Sequence, residues 1–80
     1  MDKHYTYPVV LEPLEEGGFQ VYVPALPEIV TRGDDEAHAL AMAKEAIELV
    51  LESRAERGED IPDADRVVLH KVSVSIPAAA

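Results

Sequence analysis

The side chains of this 80-residue chain that could take part in chemistry are carboxylates, histidines and serines, because the sequence contains no cysteine. A nuclease that works with two metal ions needs several carboxylates converging from strands and a helix. Glu12, at the end of the first predicted strand, is the only acidic residue on a predicted strand. The other acidic residues fall in turns, at the helix start or along the outer face of the helix, so this pattern predicts no two-metal site.

The histidines and serines give no further candidate for catalysis. His4, His38 and His70 are far apart in sequence and lack the spacing of metal ligands. His38 is expected to be exposed in the first helical turn, and His70 to be a core or interface residue. The serines have no neighbouring base pattern, and Gly17-Gly18 opens no helix that could cradle a phosphate. We therefore predict no catalytic residue, no metal and no cofactor.

One side of the predicted helix carries like charges at three- and four-residue intervals, next to a narrow apolar strip that includes Ala46. A solvated surface is the simplest interpretation of the glutamates, whereas the apolar strip is equally consistent with an interface. If the chain binds another protein, the open face of the sheet is a second candidate surface. The candidate partner-binding residues are Glu45, Glu48, Glu52, Glu56, Met42, Leu49 and Tyr22.

The charge balance limits the class of partner. With 7 Lys+Arg against 16 Asp+Glu, the formal net charge is −9. Nucleic-acid binders need a basic surface that neutralises phosphates, so direct binding of nucleic acid is not expected. A basic protein partner, or simply solubility, fits this charge better. The sequence has no pattern of a signal peptide or membrane span, which favours a cytoplasmic protein.

Three short strands are predicted in the first half of the chain. The first covers Tyr5 to Glu12, where residues alternate with a period of two. Gly17-Gly18 supplies a hairpin turn, and the second strand follows from Phe19 to Val23. Two prolines bracket a bend before a third strand at Ile29 to Thr31. Pro8 cannot donate to a sheet ladder, so we expect the first strand at an edge.

A long helix is the clearest predicted element. Asp34 or Asp35 is expected to cap its start, and it should end near Gly58. Its predicted core-facing stripe consists of Leu40, Ala43, Ile47, Val50 and Leu51.

A polar loop from Glu59 to Asp65 leads to a last strand at residues 67–76, in which residues again alternate. The predicted order is βββαβ, an α/β chain of the α+β type. Its mainly antiparallel sheet has one helix on one face, and the last strand returns parallel to the first. We expect a single domain at residues 1–76, a frayed tail at residues 77–80 and no C-terminal DNA-binding segment.

A single helix covers only one face of a four-stranded sheet. Chains this short have marginal stability unless something adds buried area, and disulfides are excluded here. The half-covered sheet therefore predicts a homodimer or a homotetramer.

The order of several short motifs resembles the HicB-like antitoxin family. They are the residues from Tyr7 to Glu12, Gly17 to Phe19, Pro24 to Pro27, Thr31 to Asp34, and Ala41 to Glu48. The resemblance implies a partial RNase H-like fold of the order βββαβ. It also implies that the chain binds and blocks HicA, a small basic mRNA ribonuclease toxin. The chain departs from the family pattern at Ala25, where many members have an acidic residue, and at Glu28, where many have glycine.

Three functions remain open at this point. The first is an antitoxin that inhibits a HicA-type toxin through the acidic helix face. The second is an orphan oligomeric scaffold that binds another protein. The third is a minimal nuclease on a truncated RNase H-like scaffold, which the scarcity of strand carboxylates makes the weakest of the three.

Overall fold

The computed structural model describes residues 3–63 and 67–78. It contains three strands, β1 (Val10–Pro13), β2 (Phe19–Tyr22) and β3 (Val30–Gly33), and one helix, α1 (Glu36–Glu56). The sheet has the order β1-β2-β3, and both neighbouring pairs are antiparallel. The predicted α+β class, with an antiparallel sheet and one helix, is confirmed. The region from Tyr7 to Asp63 is called the body below.

The turns follow the predicted glycine and proline positions. Gly17 and Gly18 have φ angles of 101° and 82°, which residues with a Cβ rarely adopt. The Leu14 N–H donates to the Gly18 carbonyl at 3.0 Å and closes the β1–β2 turn. Between β2 and β3, the N–H groups of Leu26 and Ile29 donate to the carbonyls three residues earlier, at 2.9 and 3.0 Å. These two successive turns direct apolar side chains of the bend into the core.

Both ends of α1 are capped as the sequence predicts. At the start, Asp35 Oδ1 accepts from the His38 N–H at 2.7 Å, which satisfies one of the free amides of the first turn. At the end, Gly58 has φ 69°, and the Glu59 N–H donates to the Arg54 carbonyl at 2.8 Å. This left-handed glycine with its 6→1 hydrogen bond forms a Schellman motif, which stops the helix.

The core consists of two clusters under α1. The first joins Val21 of β2 to Ala39 and Ala43 of α1, where the small alanines allow the helix to lie close to the sheet. The second is formed by bend residues Val23, Leu26 and Ile29, against which the later turns of α1 pack. The core therefore lies between β2, the bend and one face of the helix.

The predicted core stripe of the helix is partly wrong. Ala43 is buried and Val50 packs against the second cluster, but Leu40 is 50% exposed. Ala46, which the sequence placed in an outer strip, instead packs against the second cluster. Ile47 and Leu51 pack against the second cluster as predicted, together with Ala46 and Val50. Of the predicted stripe, therefore, only Leu40 lies outside the two clusters.

The ends of the predicted sheet also differ. β1 begins at Val10 rather than Tyr5, and β3 is Val30–Gly33 rather than Ile29–Thr31. The predicted last strand is absent from residues 67–78, which contain no regular secondary structure and are called the C-terminal arm. His70, predicted in a core or interface, is exposed there. Residues 64–66 of the predicted loop and 79–80 of the predicted tail lie outside the described residues.

The C-terminal arm is almost entirely outside the core. Its apolar side chains Val68, Leu69, Val72, Val74 and Ile76 are 67–84% exposed. The radius of gyration is 16.2 Å, whereas a compact chain of 80 residues has about 12 Å. Apolar alternation alone therefore does not place this segment in the sheet.

Candidate functional site

The outer face of α1 is the first candidate binding surface. Its four glutamates are all exposed, and Leu49 between them is 61% exposed. Lys44 Nζ lies 4.0 Å from Glu48 Oε1, a weak, solvent-exposed pair. No other salt bridge within the described part of the chain involves these glutamates. This face therefore offers negative charge to a partner. The acidic residues are Glu45, Glu48, Glu52 and Glu56.

At about 100° per residue, α1 divides into three sectors. One sector packs on the sheet through its alanines and Val50. The outer face, with Glu45, Leu49, Glu52 and Glu56, lies roughly opposite. Between them lies a third sector formed by Leu40, Lys44, Ile47 and Leu51, with Glu48 at the border between this sector and the outer face. The helix consequently presents two separate surfaces to solvent.

The structure does not bring all the predicted partner-binding residues together. Met42 is half-buried at the border of the outer face. Tyr22 lies on the opposite side of the molecule, because its neighbour Val21 is buried under the helix and successive strand residues point to opposite faces. The predicted set therefore divides into a helical surface and a sheet surface.

The open face of the sheet carries an apolar row across all three strands. Tyr22 is paired with Val10 of β1 and with Val30 of β3. Tyr22 is 39% exposed and Val30 is 62% exposed. Val30 is not among the predicted surface residues, because its position depends on the register of β3, which begins at Val30 rather than at Ile29.

A groove lies between the segment before β1 and the third sector of α1. Its volume is about 420 Å³, and its apolar lining includes Tyr5, Tyr7 and Val9 on one side and Leu40, Ile47 and Leu51 on the other. The Tyr5 and Tyr7 rings are stacked with their centroids 6.4 Å apart. Burial and the neighbouring Tyr5 raise the pKa of the Tyr7 phenol, so it is a neutral donor at physiological pH. The sequence predicts these helix residues in the core, and Ile47 and Leu51 do pack against the second cluster while they also line the groove.

The end of α1 is tied to the bend and to the loop that follows. Arg54 Nη2 donates to Glu28 Oε2 at 2.6 Å, and Arg54 Nη1 donates to the Asp60 carbonyl at 3.3 Å. The Arg54 guanidinium holds the pKa of the Glu28 carboxyl below its usual range. The Tyr7 hydroxyl donates to the Pro62 carbonyl at 2.8 Å. Glu28, which departs from the family pattern, thus has a defined partner.

The described residues hold no cluster of three or more His, Asp or Glu side chains that could bind a metal ion. His38 Nδ1 accepts from the Asp34 N–H at 2.9 Å, so this nitrogen already takes part in a hydrogen bond at the start of α1. Across residues 3–63 and 67–78, no helix combines the length and the apolar character needed to cross a membrane. The acidic helix face, the open sheet face and the groove are surfaces suited to binding.

The known proteins that resemble this chain in sequence point to one family. Residues 7–77 match the model of the HicB-like antitoxin of bacterial toxin–antitoxin systems. Antitoxin HicB 1 of Photorhabdus laumondii is 41% identical over 78 residues, which cover 98% of this chain and 50% of that protein. Antitoxin HicB of Escherichia coli is 34% identical over 71 residues, 89% of this chain and 51% of that protein.

The share of each relative that is covered differs. This chain spans about half the length of the two antitoxins above, at 50% and 51%. A UPF0150 protein of Thermoplasma acidophilum is 38% identical over 66 residues, which cover 80% of this chain and 96% of that protein. The similarity to the longer antitoxins therefore concerns the part of them that corresponds to the body and the C-terminal arm.

Proposed function

The chain belongs to the HicB-like antitoxin family of bacterial toxin–antitoxin systems, and on that basis we propose that it binds and inhibits a small basic ribonuclease toxin of the HicA type. The observation that carries the proposal is the exposed acidic outer face of α1 on a chain of net charge −9. The protein acts in the cytoplasm by occupying a surface of the toxin and catalyses no reaction itself.

Electrostatic complementarity sets the rate of this association. The glutamates of the outer face project from a rigid helix of 21 residues, so their negative potential is fixed in one direction. Such a field steers an oppositely charged protein and raises the association rate, mainly at low salt. Apolar anchors determine how long the complex lasts. Leu49, exposed among the glutamates, is the anchor on the helix.

The open face of the sheet supplies a second contact in this proposal. Tyr22 with Val10 and Val30 forms an apolar row on the side opposite the helix. A small toxin cannot cover both sides of one copy at once. The row around Tyr22 therefore serves either a second toxin contact in an assembly or contacts between copies of the antitoxin.

The proposal includes self-association into a homodimer or a homotetramer. The body has only a small core, with six apolar residues classed as buried among those described. Domains of this size often gain the missing buried area from another copy. Self-association would also present more than one acidic helix to toxin molecules, which increases avidity.

Charge reversal on the outer face tests the toxin-binding surface. The double variant Glu48→Lys and Glu52→Lys should slow association with a HicA-type toxin by roughly tenfold or more at low salt, because the steering field changes sign locally. The difference should shrink at physiological salt, where exposed charges are screened. The measurement is the association rate by stopped-flow fluorescence at two salt concentrations.

The matched control is Glu15→Lys with Glu16→Lys. It changes the net charge of the protein by the same amount, but at exposed positions of the β1–β2 turn. If both double variants slow association equally, only the total charge matters and the helix is not the contact. If neither one changes the rate, the toxin-binding surface lies elsewhere. No binding of the unmodified protein to any HicA-type toxin would contradict the proposed function itself.

A further inference from the structure

Two differences between the predicted and the observed sheet occur at one edge. β1 begins at Val10 instead of Tyr5, and the arm at residues 67–78 has no strand. If the arm formed a strand beside the segment before β1, both differences would disappear. That segment would gain a strand partner, and the arm would gain regular secondary structure. We propose that the C-terminal arm of one copy fills the groove of a second copy, so that two copies exchange arms. This inference deepens the self-association proposed above and rests on it.

The groove has the position and chemistry of a missing strand. β1 is at the edge of the sheet, so one side of its backbone has no strand partner among the described residues. The third sector of α1 lines the groove through Leu40, Ile47 and Leu51, of which Ile47 and Leu51 also pack against the second cluster. An apolar helix sector normally covers sheet, and Leu40 is half exposed. The groove, which Lys3, His4, Lys44 and Glu48 also line, is therefore a largely apolar site next to an unpaired strand edge.

The C-terminal arm has the matching pattern. Its even-numbered positions from 68 to 76 are apolar except for His70, whereas Lys71, Ser73 and Ser75 alternate with them. One face of a strand formed by the arm would thus be apolar and suited to the helix side of the groove. In the single copy these side chains bury little apolar surface, since Val72 is 83% exposed and Ile76 is 84% exposed.

Charge also favours the arm as occupant. Residues 67–78 contain one lysine and no acidic residue, although the whole chain has 16 acidic and 7 basic residues. The arm thus adds no negative charge to the contact with an acidic body, and Lys71 adds one positive charge. Two bodies of net negative charge repel each other, and an uncharged to weakly basic strand between them reduces that cost.

The direction of the helix sets the register of the docked arm. Leu11 packs with the first turns of α1 around Ala39, and Tyr7 packs with the later turns around Ile47. The helix therefore runs antiparallel to β1. An arm parallel to β1 would begin near Leu51 and end near Leu40. Leu51 and Leu40 are about 16 Å apart along the helix axis, a distance that an extended strand covers in about five residues. With Val68 near Leu51, Val72 and Val74 would then cover the half-exposed Leu40 side chain.

The root of the arm is fixed next to its own groove, but the described arm residues do not line that groove. Pro62 is held to the Tyr7 hydroxyl, and a residue that precedes proline, as Ile61 does, prefers an extended backbone. Val67 lines a separate cavity with Ala25 and residues 60–63. An arm that leaves the body in this way can fill the groove of a second copy. Exchange in both directions gives an isologous contact, which closes at two copies.

The first experiment compares two aspartate substitutions one residue apart in the full chain. Val72→Asp places a carboxylate on the apolar face of the arm and should weaken the dimer by more than about tenfold, because a buried unpaired charge is costly. Ser73→Asp adds the same charge on the other face and should leave the dimer intact. The measurement is sedimentation equilibrium over a range of concentrations, with circular dichroism to confirm that each body is folded. Equal dissociation constants for both variants and the unmodified chain would overturn the exchange.

The second experiment uses the absence of native cysteine. One preparation carries Leu40→Cys, a second carries Val74→Cys, and a short bis-maleimide cross-linker is added to their refolded mixture. Arm exchange predicts a covalent product of twice the chain mass. The control Leu49→Cys lies on the outer face of the same helix and should give little product with Val74→Cys. A double variant, Leu40→Cys with Val74→Cys, should likewise give covalent dimers.

The outcomes separate this inference from the proposed function. An internally cross-linked monomer of the double variant would mean that the arm folds back into its own groove, which overturns the exchange. A dimeric protein without Leu40 to Val74 product would leave self-association standing and place the contact elsewhere. An unmodified chain that is monomeric at all concentrations would contradict the proposed self-association and the exchange together. Toxin binding is measured separately and does not enter these outcomes.

Discussion

The body and the C-terminal arm share an alternating sequence pattern but differ in how deeply their valines are buried. Both contain valines that alternate with polar or small residues, but Val21 of β2 is fully buried, whereas Val72 of the arm is 83% exposed. The neighbouring elements cause this difference in burial, because β2 pairs with strands on both sides and lies under the helix. The arm has no such partner within one copy. Alternation therefore identifies a segment that can form a strand, and the available edge decides whether it does.

The contact between helix and sheet in the body leaves no free space at Gly33. A Cβ at this position would collide with the backbone of Ala39. The close approach is possible only because β3 ends with a residue that lacks a side chain. The apolar side chains of the arm are 67–84% exposed, so the two regions should respond very differently to small changes in side-chain volume.

The largest expected effect comes from Gly33→Ala. One methyl group would force the first turn of α1 away from β3 and should cost about 3 kcal/mol or more of unfolding free energy. A chain of 80 residues typically has only about 4–12 kcal/mol in total. Urea unfolding followed by circular dichroism measures the change. Gly17→Ala is the control, since its Cβ would meet no atom within 4 Å and only the φ of 101° is strained, at about 1 kcal/mol. Equal costs would show that the helix does not need this close approach.

A matched pair of truncations compares the two regions directly. Leu26→Ala removes a fully buried side chain from the second cluster and should cost about 2–5 kcal/mol. Val72→Ala in dilute protein should cost less than about 0.5 kcal/mol, because the side chain is exposed in the single copy. The measurement is the same urea unfolding, repeated at increasing protein concentration.

Repeating the unfolding at several protein concentrations distinguishes contacts within one body from contacts between copies. The cost of Leu26→Ala should stay constant, since its contacts are within one body. If copies exchange arms, the cost of Val72→Ala should rise with concentration as the dimer forms. A large cost of Val72→Ala in dilute monomeric protein would mean that the arm packs on its own body.

The sequence predicted the elements whose signals are local. The glycine turn, the aspartate N-cap and the Gly58 end of α1 depend on a few neighbouring residues, and all were found where expected. The α+β class followed from the alternation of short strands and one long amphipathic helix. These signals need no knowledge of which segments meet in space.

The parts that could not be predicted depend on tertiary contacts. The predicted core stripe of α1 combined residues that face the sheet, such as Ala43, with residues that line the groove, such as Leu40. Periodicity gives the width of an apolar sector but not how much of it a three-stranded sheet covers. Val30 was missed for the same reason, because its place beside Tyr22 on the open face of the sheet depends on how β2 and β3 pair.

The smallest expected effect concerns the joint between body and arm, where Arg54 links Glu28 to the Asp60 carbonyl. The pKa of Glu28 is lowered from its ordinary value of 4.5, chiefly by its hydrogen bond to Arg54. A lowered pKa in the folded state means that the pair stabilises the protein above the ordinary value. This contribution is lost as the pH falls through the lower, folded-state pKa. Because Glu28 is nearly half exposed, the effect should be under about 1 kcal/mol.

Glu28→Gln should therefore lower the melting temperature slightly near neutral pH and have little effect in acid, so the difference from the unmodified protein shrinks as the pH falls below the ordinary value of 4.5. Glu59→Gln is the matched control: the Arg57 hydrogen bond also lowers the pKa of Glu59, but this pair is within two residues on the surface and spans no joint. Amide hydrogen exchange at residues 60–63 should become faster in Glu28→Gln and not in Glu59→Gln. The reason is that Glu28 holds Arg54 in place, and the Arg54 guanidinium donates to the Asp60 carbonyl. Equal exchange in both variants would mean that the Tyr7 to Pro62 hydrogen bond alone anchors the root of the arm.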